Sequence, residues 1–391
     1  MVSPPTPPEA VCATALAGLA GMGPRRLSCV LALWGAEEAW QRVADGRALD
    51  HPALAAMAGR EPDRLRARWR ADAAVVRLDE VAAHTAALGV RVHLAGRAGY
   101  PELLADDPEP PAVLFTTGPV EAVAAHPRVA VVGMRNATRY GLEVARRLGR
   151  ELAEEGVAVV SGLAAGIDGA AHDGALGAGS AGAPLVAVVA SGHDVVYPLR
   201  HRDLWAAVAA HHVMVSEVPP GGRPEAWRFP ARNRVIAAMA QAVVVVESMR
   251  RGGSMYTVHE ALGRDRPVLA VPGPVDSPAS EGTNGLLADG AHPARDTDDV
   301  LLAIGRHRRP RASPPGRASA SGRDADGPGR VGRHDAAVLD ALVGGPRTLP
   351  ELSRAVSRSL ADVALTLDRL RATGRVVQRG QWVERVGRGG R

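Results

Sequence analysis

Between residues 128 and 290 five apolar runs each end in a loop, and four of those loops are built from small residues. This alternation constrains the fold more than any other feature of the chain. Arg128-Val129-Ala130-Val131-Val132 leads into Gly133-Met134-Arg135-Asn136-Ala137-Thr138. Val157 to Ser161 leads into Gly162-Leu163-Ala164-Ala165-Gly166-Ile167-Asp168. Leu185 to Ala190 leads into Ser191-Gly192, Val243 to Glu247 into Arg251-Gly252-Gly253-Ser254, and Val268 to Val271 into Pro272-Gly273. Near-continuous Val, Ala and Leu match strands covered on both faces, as parallel strands are. Strands are predicted near 128–133, 157–161, 185–190, 213–216, 242–247 and 267–271, with helices starting near Tyr140, Gly166, His201, Arg232 and Ser254. The expected fold class is α/β, a Rossmann-like open and mostly parallel sheet with helices on both faces. In such a sheet the loops open along one edge. Glycine lets a backbone approach a bound group closely, and helix N-termini offer free N–H donors, so that edge is expected to bind anions.

The rest of the chain divides by composition. Residues 1–95 are Ala-, Leu- and Arg-rich with helical periodicity, residues 96–304 hold the strand–helix alternation, and residues 305–333 form a linker expected to be disordered. That linker interleaves eight arginines with Pro, Ser and Gly and cannot bury a core. Periodicity returns in residues 334–387. Gly21-Met22-Gly23 between two short helices reads as the turn of a helix–hairpin–helix (SAM-like) domain, which can present N–H groups to DNA phosphates, or equally as an ordinary glycine turn. The C-terminal stretch reads as three helices and a two-stranded hairpin, the order of a winged helix. Its third helix carries Arg369 and Arg371 only at its end, so a protein-contact role is favoured there over base reading.

The 391 residues are 46% hydrophobic but only 3% aromatic, so the core is aliphatic. No charge-free stretch of about 18 apolar residues occurs, and no membrane span is expected. The two cysteines, Cys12 and Cys29, show no metal spacing and fit a reducing cytoplasm. All 47 basic residues are arginine, and the formal net charge is +5. Each cation is thus a planar fork suited to phosphate.

The chemistry of the loops excludes several classes. The dinucleotide fingerprint G-x-G-x-x-G is absent after the first strand; Arg135 stands where the pyrophosphate-facing glycine would be, and Thr138 is placed to cap the next helix. Ser161, Ser191 and Ser254 sit at strand ends, none within G-x-S-x-G. His172 reads better as a packed residue than as a general base. No metal-ligand spacing appears, and no cofactor is expected. A phosphate held from outside fits these loops better than a bound dinucleotide.

Taken together, several motifs resemble the DNA-processing protein A (DprA/Smf) family. They include Val131-Val132-Gly133-Met134-Arg135, Ser161-Gly162-Leu163-Ala164-Ala165-Gly166-Ile167-Asp168 and Tyr197-Pro198. Phe229-Pro230-Ala231-Arg232-Asn233-Arg234, Gly253-Ser254-Met255-Tyr256-Thr257 and Val271-Pro272-Gly273 continue the series. The resemblance implies a homodimeric protein that is not an enzyme. Such a protein binds single-stranded DNA, protects it as it enters the cell in natural transformation, and loads the recombinase RecA onto it. It assigns the phosphate contact to Arg135. Leu199 occupies the family's second basic position, leaving Arg200 and Arg202 next in line, and Ala165 replaces a common arginine. The expected DNA- or phosphate-binding set is Gly133, Arg135, Thr138, Ser161, Gly162, Gly166, Arg200, Arg232, Asn233, Arg234, Gly253, Ser254 and Thr257. The alternative is a Rossmann-like hydrolase for a nucleotide or phosphosugar, using the loop Arg251–Thr257 and Glu260 as its catalytic carboxylate.

Overall fold

All six predicted apolar runs are strands, and they form the parallel centre of a nine-stranded sheet in this computed structural model. The structure describes residues 8–179, 182–308, 333–342, 346–356, 358–373, 375–379 and 382–385. The strands are β1 (Arg91–Leu94), β2 (Val113–Thr117), β3 (Arg128–Val132), β4 (Ala158–Ser161), β5 (Val186–Val189), β6 (Val213–Ser216), β7 (Ala242–Val245), β8 (Val268–Ala270) and β9 (His292–Pro293). Their order is β1-β2-β6-β5-β4-β3-β7-β8-β9. The pairs from β6 to β9 are parallel, whereas β1–β2 and β2–β6 are antiparallel.

Period-two geometry explains the apolar runs. On β3, Val129 and Val131 face one core while Ala130 and Val132 face another. The first core is closed by α5 (Arg139–Glu154), α6 (Ile167–Leu176), α7 (Arg202–His211) and α11 (Thr297–Ala303). The second is closed by α8 (Arg228–Met239) and α9 (Ser254–Leu262). Upstream lie α1 (Pro8–Gly18), α2 (Pro24–Ala44), α3 (Pro62–Val75) and α4 (Leu78–Ala87), and α10 (Glu281–Ala288) precedes β9.

Three differences from the sequence reading have physical reasons. Helix α8 begins at Arg228, four residues before the predicted start. Pro230 sits in its first turn, where the missing N–H has no helical partner to lose. The boundary drawn at residue 95 falls just after β1, which belongs to the sheet through pairing with β2. The upstream helices also share a core with that edge, for Leu16 and Trp69 cluster with Val113 and Phe115. Met1–Pro310 is accordingly one compact unit. Finally, the linker reading of 305–333 falls mainly on 309–332, outside the described residues. Arg308, inside that span, instead bridges Glu151 of α5 at 2.9 Å and Glu155 at 3.3 Å.

The second unit is Arg311–Arg391. It holds α12 (Arg333–Ala341), β10 (Arg347–Thr348), α13 (Leu349–Ala355), α14 (Leu360–Ala372), β11 (Val376–Arg379) and β12 (Trp382–Arg385). The strands form an antiparallel sheet ordered β10-β12-β11, over a core that includes Leu339, Leu352, Val363 and Val383. The short strand β10 is not part of the sequence reading.

Candidate functional site

The parallel strands bring the loops 133–138, 162–166, 190–198 and 246–253 to one sheet edge. After β3 the chain moves outward through β4, β5 and β6, then crosses to β7 on the other side. Loops diverge at such a switch point and leave a crevice. Here the crevice is lined by Gly133 to Asn136, Asp168, Phe229, Asn233, Met249, Gly253 and Tyr256. A second cleft adjoins it, lined by Arg135, Gly166, Arg200 and His201 among others. Arg135 is common to both mouths.

Arg135 is exposed and makes no hydrogen bond or ion pair among the described residues; its guanidinium lies over the Phe229 ring, 4.4 Å from the centroid. Tyr197 packs against the same ring at 5.5 Å. The stack holds the cation in place while leaving its donors free. Arg200 is also exposed and without a polar partner among the described residues, as are Arg202, Arg250 and Arg251. Arg250 is absent from the sequence-derived set. Its signal was the Arg250-Arg251 pair directly after the fourth apolar run.

The anion positions inside the loops are filled by the protein itself. Thr138 caps α5 as its position predicts, with its hydroxyl accepting from Gly141 N–H. Its backbone N–H and hydroxyl donate to the two carboxylate oxygens of Glu247, at 2.8 and 2.5 Å. The N-terminus of α5, where a Rossmann fold would take a phosphate, therefore already holds a buried carboxylate. In the next loop Asp168 accepts from the backbone N–H groups of Gly162 and Ala164. Burial raises its carboxyl above the ordinary range, against the opposing pull of Arg232 and Arg135.

Seven members of the predicted set accordingly serve the structure. Thr138 is occupied by Glu247. Ser161 is fully buried and donates to Val131 O at 2.7 Å. Gly162 is buried, and a side chain there would collide with the Arg232 guanidinium. Arg232 is 7% exposed and donates to Gly162 O at 2.7 Å and Val188 O at 2.5 Å; burial lowers its pKa to about 10. Arg234 is ion-paired to Glu217 and donates to Glu109 O. Ser254 is buried and donates to the Ser248 hydroxyl, and Thr257 is buried beside it. In each case the position is taken up by a contact within the fold. The loop surface keeps Gly133, Arg135, Gly166, Arg200, Asn233 and Gly253. Gly166 has φ +80°, and a side chain there would strike the carbonyl oxygens of Met134 and Arg135. It therefore sets how closely the first two loops approach each other.

His172 is fully buried, with Nε2 3.2 Å from Val186 O. Burial pushes its imidazole from the ordinary 6.5 down to about 3, so it stays neutral and packed. Below pH 6.5 the unfolded chain takes up a proton that the folded chain refuses. The folded state therefore loses stability as pH falls, by up to about 1.4 kcal/mol per pH unit. The expected result is that His172→Gln, which keeps a donor but does not titrate, loses less stability than the parent between roughly pH 7 and 5. Denaturant melts at the two pH values check this, and equal losses would contradict it.

Among the described residues no helix is long and apolar enough to cross a membrane, and no cluster of His, Cys, Asp and Glu is arranged to hold a metal. Comparison with known proteins supplies the lineage. The chain is 36% identical over 202 residues to the DNA processing protein DprA of Bacillus subtilis, covering 52% of this chain and 67% of that one. It is 38% identical over 216 residues to the protein Smf of Escherichia coli, covering 54% and 57%. The matched region thus spans between about half and two thirds of these relatives. The X-ray structure of DNA processing protein A from Streptococcus pneumoniae aligns with a TM-score of 0.60 at 28% identity, covering 76% of this chain and 98% of that one. Residues 91–305, more than half the chain and including the whole nine-stranded sheet, match the model of the DNA recombination-mediator protein A family, and the chain belongs to that family.

Proposed function

We propose that this protein binds single-stranded DNA along the loop edge of its sheet, protects it, and loads RecA onto it during natural transformation. In this reading it works in the cytoplasm as a homodimer. The observation that carries the reading is Arg135, an exposed and unpaired guanidinium braced on Phe229 at the mouth of two clefts. Arg200 stands in the second cleft as the next cation along the edge. A flexible strand can follow loops and clefts that a duplex cannot enter, and unpaired arginines hold its phosphates regardless of base sequence.

The site reads as one for binding. The hydrolase alternative uses the loop Arg251–Thr257 with Glu260 as its carboxylate. In that loop Ser254 and Thr257 are buried, and Glu260 is ion-paired to Arg264 at 2.6 Å. We read the upstream helices as a SAM-like module and the second unit as a winged helix. The unit's element order, helix–strand–helix–helix–strand–strand, supports that reading. On its third helix Arg369 is paired to Asp335 and Arg371 to Asp368, which favours a protein-contact role over base reading.

Anisotropy of labelled single strands and duplexes at two salt concentrations tests the function. Single strands are expected to bind more tightly than duplexes of equal length. The logarithm of the binding constant should fall steeply with that of salt, by about 0.7 for each phosphate held. A flat salt dependence or a preference for duplex would overturn the reading.

A further inference from the structure

We propose that a single strand held at Arg135 continues past the start of α8 into a second groove. There Trp227 stacks a base, and Arg25 and Arg68 of the upstream helices hold the backbone. This inference rests on the single-strand reading of the sheet edge. The groove runs between the turn joining α1 to α2 and the first turn of α8, and Pro230 forms part of the wall of both this groove and the Arg135 crevice. The two grooves are therefore adjacent, with Pro230 between them.

Trp227 is 46% exposed, an unusual position for a large ring in a chain so poor in aromatics. It is also held in place. Its indole N–H donates to Glu225 Oε2 at 3.0 Å, and the Arg228 guanidinium lies over the ring, 5.2 Å from the centroid. A fixed, half-exposed indole backed by a cation is a stacking platform that needs little further ordering.

The charge of the groove is complementary to a phosphate backbone. Arg26 is committed to the fold, donating to Met57 O and Gly21 O and so locking the turn. Arg25 and Arg68 line the same groove, exposed and without a polar partner among the described residues. Of the acidic side chains there, Glu225 is paired to Arg228 and Glu260 to Arg264, which leaves Glu109 against the two free arginines. The partner this chemistry fits is a sequence-tolerant polyanion carrying flat rings, the same single strand the sheet edge takes.

The test uses the full chain and thymidine strands of two lengths, one of about 6 nucleotides that covers only the sheet edge and one of about 20 that spans both sites. The parent is expected to bind the longer strand more tightly than the shorter. Trp227→Ala should weaken long-strand binding about five- to tenfold or more, the loss of one stacked base, while short-strand binding and the melting temperature hold. Arg25→Ala with Arg68→Ala should lower the long-strand salt slope by about 1.4, two single-strand phosphates at about 0.7 each. Variants that bind both lengths as the parent does, or that lose both equally, overturn the second groove while the sheet-edge site stands. If the parent binds neither length, the sheet-edge reading itself is wrong and the groove falls with it.

Discussion

Arg232→Met is expected to destabilise the first unit by on the order of 3–5 kcal/mol, as removal of one member of a buried charge network does. The guanidinium lies 7% exposed beneath the loop edge, and its Nη1 donates to the carbonyls of Gly162 and Val188. Methionine approximates the length of the side chain but offers no donor. Two carbonyl oxygens at the ends of β4 and β5 then lose their partner, at about 1–3 kcal/mol for each group left unsatisfied. Asp168, buried and six residues after Gly162, loses the stronger of the two cations that oppose its desolvation, leaving only Arg135. Denaturant unfolding of the full chain measures the loss. Asp168→Asn in the same background should recover part of it, because the uncompensated carboxylate is then gone. An Arg232→Met protein as stable as its parent would show that the guanidinium belongs to a ligand site and not to the fold.

Arg232 and Arg135 illustrate how far the sequence could be read. The strands were legible because every residue of β4, β5 and β7, and all of β3 but Arg128, is buried on one face or the other, which writes a long apolar run into the chain. β1, β2 and β9 were not read as strands; β1 and β9, at the two edges of the sheet, are exposed along much of their length and carry no buried apolar run. The edge on which the loops gather followed from parallel topology. What fills them did not. Thr138 and Glu247 are 109 positions apart, and only the pairing of β3 with β7 puts that carboxylate on the N-terminus of α5. Arginines in one functional motif likewise separate by burial, a property of the tertiary packing. Arg232 and Arg234 turn inward to carbonyls and to Glu217, while Arg135 and Arg200 stay in solvent.

Removing both solvent-facing cations, Arg135→Ala with Arg200→Ala, is expected to weaken single-strand binding by about 2–6 kcal/mol, two charge-assisted contacts at about 1–3 kcal/mol each. Each single variant should cost roughly half of that if the two contact separate phosphates, and less than additive losses would mean that they share one. Among the described residues neither side chain takes part in an ion pair or a hydrogen bond, so the folded state has little to lose. Arg135 contributes only its stacking on Phe229. The melting temperature should therefore stay close to the parent's while the salt slope of binding falls by about 1.4. This combination separates a binding role from a structural one, because Arg232→Met is expected to lower the melting temperature that the double variant leaves unchanged. A double variant that binds single strands with parental affinity and salt dependence would place the DNA contacts elsewhere on the chain, and a double variant that unfolds would show that these exposed guanidinia hold the loop edge together.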